Sequence, residues 1–541
     1  MTPYVALSRR STFRALAAES PARRQTRIGS VVFSIALALA AAGCGADDTC
    51  DSGFAADQAK SIHVSASCGS ASGDGSAAKP FATLAAGVAA APTGGTVAVG
   101  KGSYAESVTL KGGVSLVGSG SKVVAIAPVD GPGVSVSGAG KTLIRGIAVN
   151  GARSFGIGSE GTSLELDDVA VSATTTALDG SGGHGVQVVN SPDVLLLGCQ
   201  LVANAGVGLL VQSALSVQII DPAFAPSPRT DGASAAIIDP SFSPTSVVAD
   251  NGAGGIAIID PAFMPGKTDA ATDDAVRITA TDIRNNSMFG IAIYGGGVKL
   301  DRCAIHGTHK PTGVDFADGI VLAASKRNVV GWLTVDAESV VASNGRAGVL
   351  AAAPAKVQIA GELCDNDYGG LWAQGAGLEV SVSAASRLRR NGLVGAAVTG
   401  GARLLMEGAR VEETQVRDFA DPAGGLPDKV ADGVGIFKGA TAVLNKVTFD
   451  RNARAGVIVH APGKTAQGGL DVIISGGTFT AGQFGIVVNK GSGAAPTAAD
   501  LKSGNTFDKV TTDVDPAGDL TVRTAVCGSS ADAAAGCAPA L

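Results

Sequence analysis

Two places in the sequence gather side chains that move protons or bind cations. In the first, "LELDDVAV" supplies Asp167 and Asp168, and sixteen residues after Asp168 the stretch "SGGHGVQV" supplies His184. Carboxylates and an imidazole are the groups that general acid–base chemistry uses. The second is a hexapeptide written three times: "IIDPAF" from 219, "IIDPSF" from 237 and "IIDPAF" from 258. If the copies sit above one another in a stack of repeated units, Asp221, Asp239 and Asp260 lie about 4.8 Å apart and repel unless a cation such as calcium separates them. The alternative places each Asp at a strand-to-turn corner, accepting backbone N–H bonds around its Asp-Pro turn. The turn reading is preferred, because calcium loops space their oxygen ligands far more densely than this motif does. No cofactor is therefore expected, with calcium as the alternative. The turn reading also predicts that Phe224, Phe242 and Phe263 stack in register.

The elements that would position these residues show themselves as a repeat. Asn-x3-Gly followed by an apolar residue recurs seven times, starting at Asn204, Asn251, Asn286, Asn344, Asn366, Asn391 and Asn452. The two shortest steps are 22 and 25 residues, a period that suits a β-solenoid in which each coil is one structural unit. Composition agrees: aromatics are 4% and hydrophobics 45%, so the interior must be built of small and β-branched groups. Alternation along a strand then turns every second side chain inward. In "GIAIY" this puts Ile291 and Ile293 inside and Tyr294 outside; in "GGLWA" it puts Leu371 and Ala373 inside and Trp372 outside. Asn fits the corners, where it tolerates left-handed backbone and can ladder from coil to coil.

The beginning of the repeat is distinctive. "DGSAAKPFATL" leads into a predicted short helix over residues 80–91 with Leu84 and Val88 on one face, followed by "TVAV", "GSYAESVTL" and "VSLVG". This order resembles the start of right-handed parallel β-helix proteins of the pectin lyase-like superfamily, in which the helix caps the open end of the stack. The resemblance extends over residues 60–525 and implies a fold that is all-β, a single right-handed parallel β-helix with a short N-terminal capping helix. That superfamily holds lyases, hydrolases, esterases and adhesins, so the fold alone names no activity.

Within the superfamily, polygalacturonase-like glycosidases carry Asp-Asp and then Gly-His-Gly, and Asp167, Asp168 and His184 look like the corresponding positions. The resemblance implies inverting hydrolysis, which needs two carboxyl groups roughly 6.5–9.5 Å apart. The family's preceding Asn-Thr-Asp is absent, and "VRIT" with Arg277 and Ile278 matches its Arg-Ile-Lys only loosely. "RLRRNG", with Arg387, Arg389 and Arg390, has the base of a pectate lyase without matched acids and reads as a solvated corner. Residues 411–428 interrupt the period and read as an insertion loop projecting from the stack. For sugar recognition the large aromatics are few, and Trp372, Tyr294 and Tyr368 are the ones able to share a face. The preferred function is thus a non-catalytic surface scaffold, adhesion or carbohydrate-recognition module. A polysaccharide-degrading hydrolase or lyase is the alternative.

Residues 1–43 hold six Arg and one acid, followed by "VVFSIALALAAAG" and Cys44, the layout of an export signal. "LALAAAGC" resembles a bacterial lipobox, which implies lipidation of Cys44 and an outer-membrane lipoprotein of a Gram-negative cell envelope. Residues 44–60 then form a tether, 61–526 the β-helix and 527–541 a C-terminal tail. The whole chain carries a formal charge of −6, and without the first 43 residues about −11. Such a balance argues against nucleic acid as a partner and leaves a polysaccharide or another surface protein. Cys50 with Cys68, and Cys527 with Cys537, are spaced to close short terminal disulfide loops. Cys199, Cys303 and Cys364 lie in apolar surroundings that predict buried, inert thiols. Replacing Cys44 with Ser should move the protein from the membrane to the soluble fraction; retention in membranes would remove the anchor.

Overall fold

The computed structural model describes residues 53–55, 61–222, 244–261, 275–325, 327, 329–419, 428–460, 472–489 and 501–518. Among the described residues, forty-two strands join in one sheet that winds round an axis, and the fold is a right-handed parallel β-helix. Three ladders run its length, each strand pairing in parallel with its equivalents one coil before and after. In chain order around one coil, the first ladder extends from Val108–Lys111 to Thr512–Gly518. The second extends from Ile62–Val64 to Val472–Ser475, and the third from Gly102–Tyr104 to Thr506–Asp508. Adjacent strands in such a ladder are roughly 4.8 Å apart, so equivalent residues of successive coils form rows along the axis.

The inward rows make the core. Ile256, Ile291, Ile320, Val349 and Leu371 succeed one another in register in the first ladder, and all are fully buried. Ile293 and Ala373 face the same interior as expected. In the last coils of the third ladder the inward row becomes aromatic: Phe449, Phe479 and Phe507 stack nearly parallel with centroids 4.7 and 4.9 Å apart. Cys199, Cys303 and Cys364 are free and buried. Burial pushes the first two thiols up to about 12 and the third upward as well.

The asparagine corners behave as a ladder. The Asn204 amide nitrogen donates to the Asn251 side-chain oxygen at 3.0 Å, and that of Asn251 to Asn286 at 2.9 Å. Asn344 donates in the same way to Asn366 at 2.9 Å, and Asn366 to Asn391 at 3.0 Å. Each donor nitrogen is shared with a backbone carbonyl of a neighbouring coil, as for Asn366 with Val341 at 3.2 Å. Threonines occupy the same column: Thr308 and Thr414 donate backbone N–H to Asn344 and Asn452 at 3.2 Å. All seven repeat asparagines are buried.

At the N-terminal end the helix Leu84–Ala90 covers the core, with Leu84 buried and Val88 packed against it. It is shorter than the predicted 80–91, because Thr83 takes the N-cap and accepts from Ala86 N at 3.2 Å. The "GSYAE" signature is accounted for here. The Tyr104 hydroxyl donates to Gly100 O at 2.8 Å, and its buried phenol is pushed up to about 12. Glu106 receives Leu84 N and Ala85 N at 3.0 and 3.1 Å, placing a carboxylate at the positive end of the helix. Cys68 is disulfide-bonded; Cys44, Cys50, Cys527 and Cys537 lie outside the described residues.

The repeated hexapeptide departs from its reading. Ile219 belongs to the second ladder, opposite Ile278, whereas Ile258 belongs to the first, opposite Ile293. The first and third copies therefore end different sides of the coil, and their aspartates do not stack. Asp221 does cap a turn, accepting Thr245 Oγ1 at 2.9 Å and Thr245 N from a segment 24 residues away; its own Asp-Pro turn continues outside the described residues. Asp260 sits with φ 48° and its Oδ2 is 3.7 Å from Arg327 Nε. Asp239, Phe224, Phe242 and Phe263 lie outside the described residues. Spacing alone misled because steps of 18 and 21 residues look like coils, while register is fixed by the backbone pairing.

Replacing Asn366 with Ala should cost roughly 3 kcal/mol or more, since buried partners on both neighbouring coils lose their bonds. Asn366→Thr should cost clearly less, because the same column already accepts threonine. Urea denaturation midpoints of the two variants check this ranking.

Candidate functional site

The acid–base candidates are built into the frame and kept apart. Asp167 ends the second-ladder part of the strand Ser163–Ser172, opposite Arg145 on one side and Leu197 on the other. Partial burial raises its pKa, opposed by the Arg145 charge and reinforced by Asp168 and Glu165. Asp168 occupies the following bend with φ 50° and holds Ser121, accepting its hydroxyl at 2.8 Å and its N–H at 3.1 Å. His184 opens the strand His184–Leu197 at another corner of the coil, beyond the whole third-ladder segment. Its Nδ1 accepts Val207 N at 3.2 Å, and burial alone pulls its pKa down to about 4. His184 is thus a neutral turn-binding residue that no carboxylate influences electrostatically, and the three do not form one site.

The proposed aromatic patch is altered as well. Trp372 points outward from the first ladder as expected, yet it is 2% exposed, packed with Leu393, Val394 and Phe437 in a second apolar cluster. Parity gave its direction and could not give its cover. Tyr368 lies at the margin of that cluster, with the Lys310 ammonium 4.6 Å from its ring centroid. Tyr294 is half-buried on the outward side of the same ladder, where it pairs with Ala323. Among the described residues no group of three His, Cys, Asp or Glu side chains converges as a metal-holding set.

Buried ion pairs that the sequence reading missed flank this cluster. Asp318 receives Arg346 Nε at 2.8 Å and a second bond from Nη2, with both side chains at most 1% exposed. Asp432 receives Arg454 in the same bidentate way. The signal was present twice over: "ADG" in one coil, then Asn-x-Arg-Ala-Gly-Val in the next. "RLRRNG" is likewise more structured than a solvated corner. Arg389 is buried against Glu362 at 3.1 Å, and Arg390 clasps Asp365 at 2.7 and 2.6 Å. The insertion begins later than residue 411, since Arg410–Glu412 is still a third-ladder strand and Thr414 sits in the asparagine column; beyond it Arg417–Phe419 pairs antiparallel with the strand Asp428–Phe437.

Among the described residues an accessible depression lies elsewhere, on the outward face of the second ladder. It is a groove of about 340 Å³, lined along its floor by Thr334, Gln358, Ser381 and Leu405. These four are consecutive members of one row, each in register with the next. A parallel row carries Trp332, Lys356 and Glu379, with the Lys356 ammonium 4.6 Å from the Trp332 ring centroid and 3.8 Å from Glu379. The edge carboxylates are Asp336 and Glu407. Asp336 accepts Arg302 N at 3.2 Å, and Glu407 accepts both its bonds from Asn445 at 2.8 and 2.9 Å. They stand three coils apart, about 14 Å at the rise of a parallel ladder, too far to act as a pair on one glycosidic bond. The groove floor offers hydroxyl and amide groups at regular spacing, which suits binding of a polar chain laid along the axis.

Ladders, corner asparagines and capping helix together define the class: a right-handed parallel β-helix. Solved structures similar to the chain include the A-module of the mannuronan C-5 epimerase AlgE6 of Azotobacter vinelandii, 14% identical over 80% of this chain and 95% of that one, with a TM-score of 0.29. The catalytic unit of the GH87 α-1,3-glucanase of Streptomyces thermodiastaticus is 13% identical over 72% of this chain and 64% of that one, TM-score 0.37. Pectate lyase Pel9A is 11% identical over 49% and 70%, TM-score 0.28. Likeness at these levels concerns the fold alone. No protein-family model and no curated protein sequence matches the chain.

His184 should titrate near 4 by NMR. The unfolded imidazole takes up its proton around 6.5 and the folded one only around 4, so its contribution to stability is intact at neutral pH and is lost as pH falls from 6.5 toward 4. His184→Gln should flatten that part of the stability profile.

Proposed function

We propose that the protein is a non-catalytic β-helix of the cell envelope, held by a lipid on Cys44, whose second-ladder groove recognises polysaccharide. The observation that carries this reading is the in-register row Thr334, Gln358 and Ser381 on the groove floor. Three neutral donor–acceptor groups follow one another at about 4.8 Å on a rigid sheet, beside the half-buried indole of Trp332. A chain of hydroxyl-bearing units can satisfy such a row repeatedly without any large rearrangement of the protein. The acid–base candidates of the sequence, Asp167, Asp168 and His184, lie outside this floor, and Asp168 and His184 hold Ser121 and Val207 N in the frame. Binding without turnover fits a surface scaffold or adhesion module, whose partner is a glycan or a glycan-bearing surface.

Affinity electrophoresis through gels containing acidic and neutral polysaccharides, combined with an assay for new reducing ends or unsaturated products, tests the reading. Retardation without product is expected. Gln358→Trp, which fills the groove, should abolish retardation, whereas Asp168→Asn should leave it unchanged. Polysaccharide cleavage lost in Asp168→Asn and His184→Ala would establish the hydrolase alternative instead.

A further inference from the structure

The groove floor is the middle of a longer row, and the two ends of that row differ in chemistry. Toward the N-terminal end, Lys299 stands in register with Thr334, and Arg277 in register with Lys299. Two cations one coil apart repel each other, and among the described residues no ion pair reaches either. Toward the C-terminal end, Leu405 follows Ser381, then Val443, then Ile473. Leu405 is 42% exposed and Ile473 53%. A single exposed Leu is ordinary, but contiguous apolar side chains on a flat face beside a groove mark a binding surface.

Resting on the glycan-binding reading above, we propose that the occupant is a lipid-tailed anionic oligosaccharide, bound in one direction along the axis. Its anionic sugar lies on Arg277 and Lys299, its neutral hydroxyls on Thr334, Gln358 and Ser381, and its alkyl tail on Leu405, Val443 and Ile473. The dimensions select this class over simpler amphiphiles. Four coils separate Lys299 from Leu405, about 19 Å at the ladder rise, so a fatty acid or small detergent cannot place its charge and its tail on the two ends while leaving the polar middle matched. A uniformly anionic glycan satisfies the cationic end and leaves the apolar row exposed. Because cations and apolar side chains occupy opposite ends of one row, the ligand is polarised, with its lipid end toward the C-terminal coils.

Titration calorimetry on the full chain with tetragalacturonate, compared with the same tetrasaccharide bearing an octyl aglycone below its aggregation limit, tests the assignment. The octyl form should bind at least about tenfold tighter, since several methylenes leave water on the apolar row. In the double variant Val443→Ser, Ile473→Ser that advantage should fall to about twofold or less, with the plain tetrasaccharide unaffected. Arg277→Ala with Lys299→Ala should weaken both ligands and flatten their salt dependence. Equal binding of the two ligands, or an octyl advantage that survives the serine variant, overturns the lipid-tailed assignment while leaving the groove a glycan site. Failure of both ligands to bind overturns both readings.

Discussion

Backbone pairing between coils, at a rise of about 4.8 Å, is the constraint on which the rest of this protein depends. Because a coil cannot bury its inward face alone, each unit is stable only against its neighbours. The pairing also fixes what may stand where. A side chain on the inward face must match its equivalents above and below, which is why Ile, Val and Leu follow one another down the first ladder and why phenylalanines follow phenylalanine in the last coils. At the corner between the third and first ladders the constraint falls on polar groups. The buried amides are tolerable because each donates to a backbone carbonyl of a neighbouring coil and, within a run, also to the next asparagine.

The same rise organises charge. Arg346 and Asp318 come from successive coils, as do Arg454 and Asp432, so each bidentate contact ties two coils together on the outward side of the first ladder. Burying such pairs gives little net stability, but removing one partner leaves an uncompensated charge. They therefore oppose any slip of one coil relative to the next, and they flank the cluster in which Trp372 is packed. The outward face of the first ladder is in this way part of the frame. The accessible groove is left to the second ladder, where Thr334, Gln358 and Ser381 meet solvent.

Catalysis and recognition make different demands on such a frame. Acid–base catalysis needs two or three groups converging on one bond, and here the strongest candidates by sequence are distributed to different corners, with Asp168 holding Ser121 and His184 receiving Val207 N. Recognition of a linear polymer needs only a row of modest groups at a regular repeat. The fold supplies that directly.

The sequence by itself determined the architecture. Seven Asn-x3-Gly repeats, strict alternation in "GIAIY" and the "GSYAE" start are local patterns whose meaning is set by strand parity and corner geometry. Both are properties of short stretches, so the interior residues, the asparagine ladder and the cap were legible. The tertiary structure decided everything that depends on which coil meets which. The hexapeptides looked equivalent, yet Ile219 and Ile258 entered different ladders; Trp372 pointed outward and was nevertheless covered by residues from other coils. The groove was invisible for the same reason. Thr334, Gln358, Ser381 and Leu405 are separated by 24, 23 and 24 residues, and only in-register pairing between coils sets them side by side.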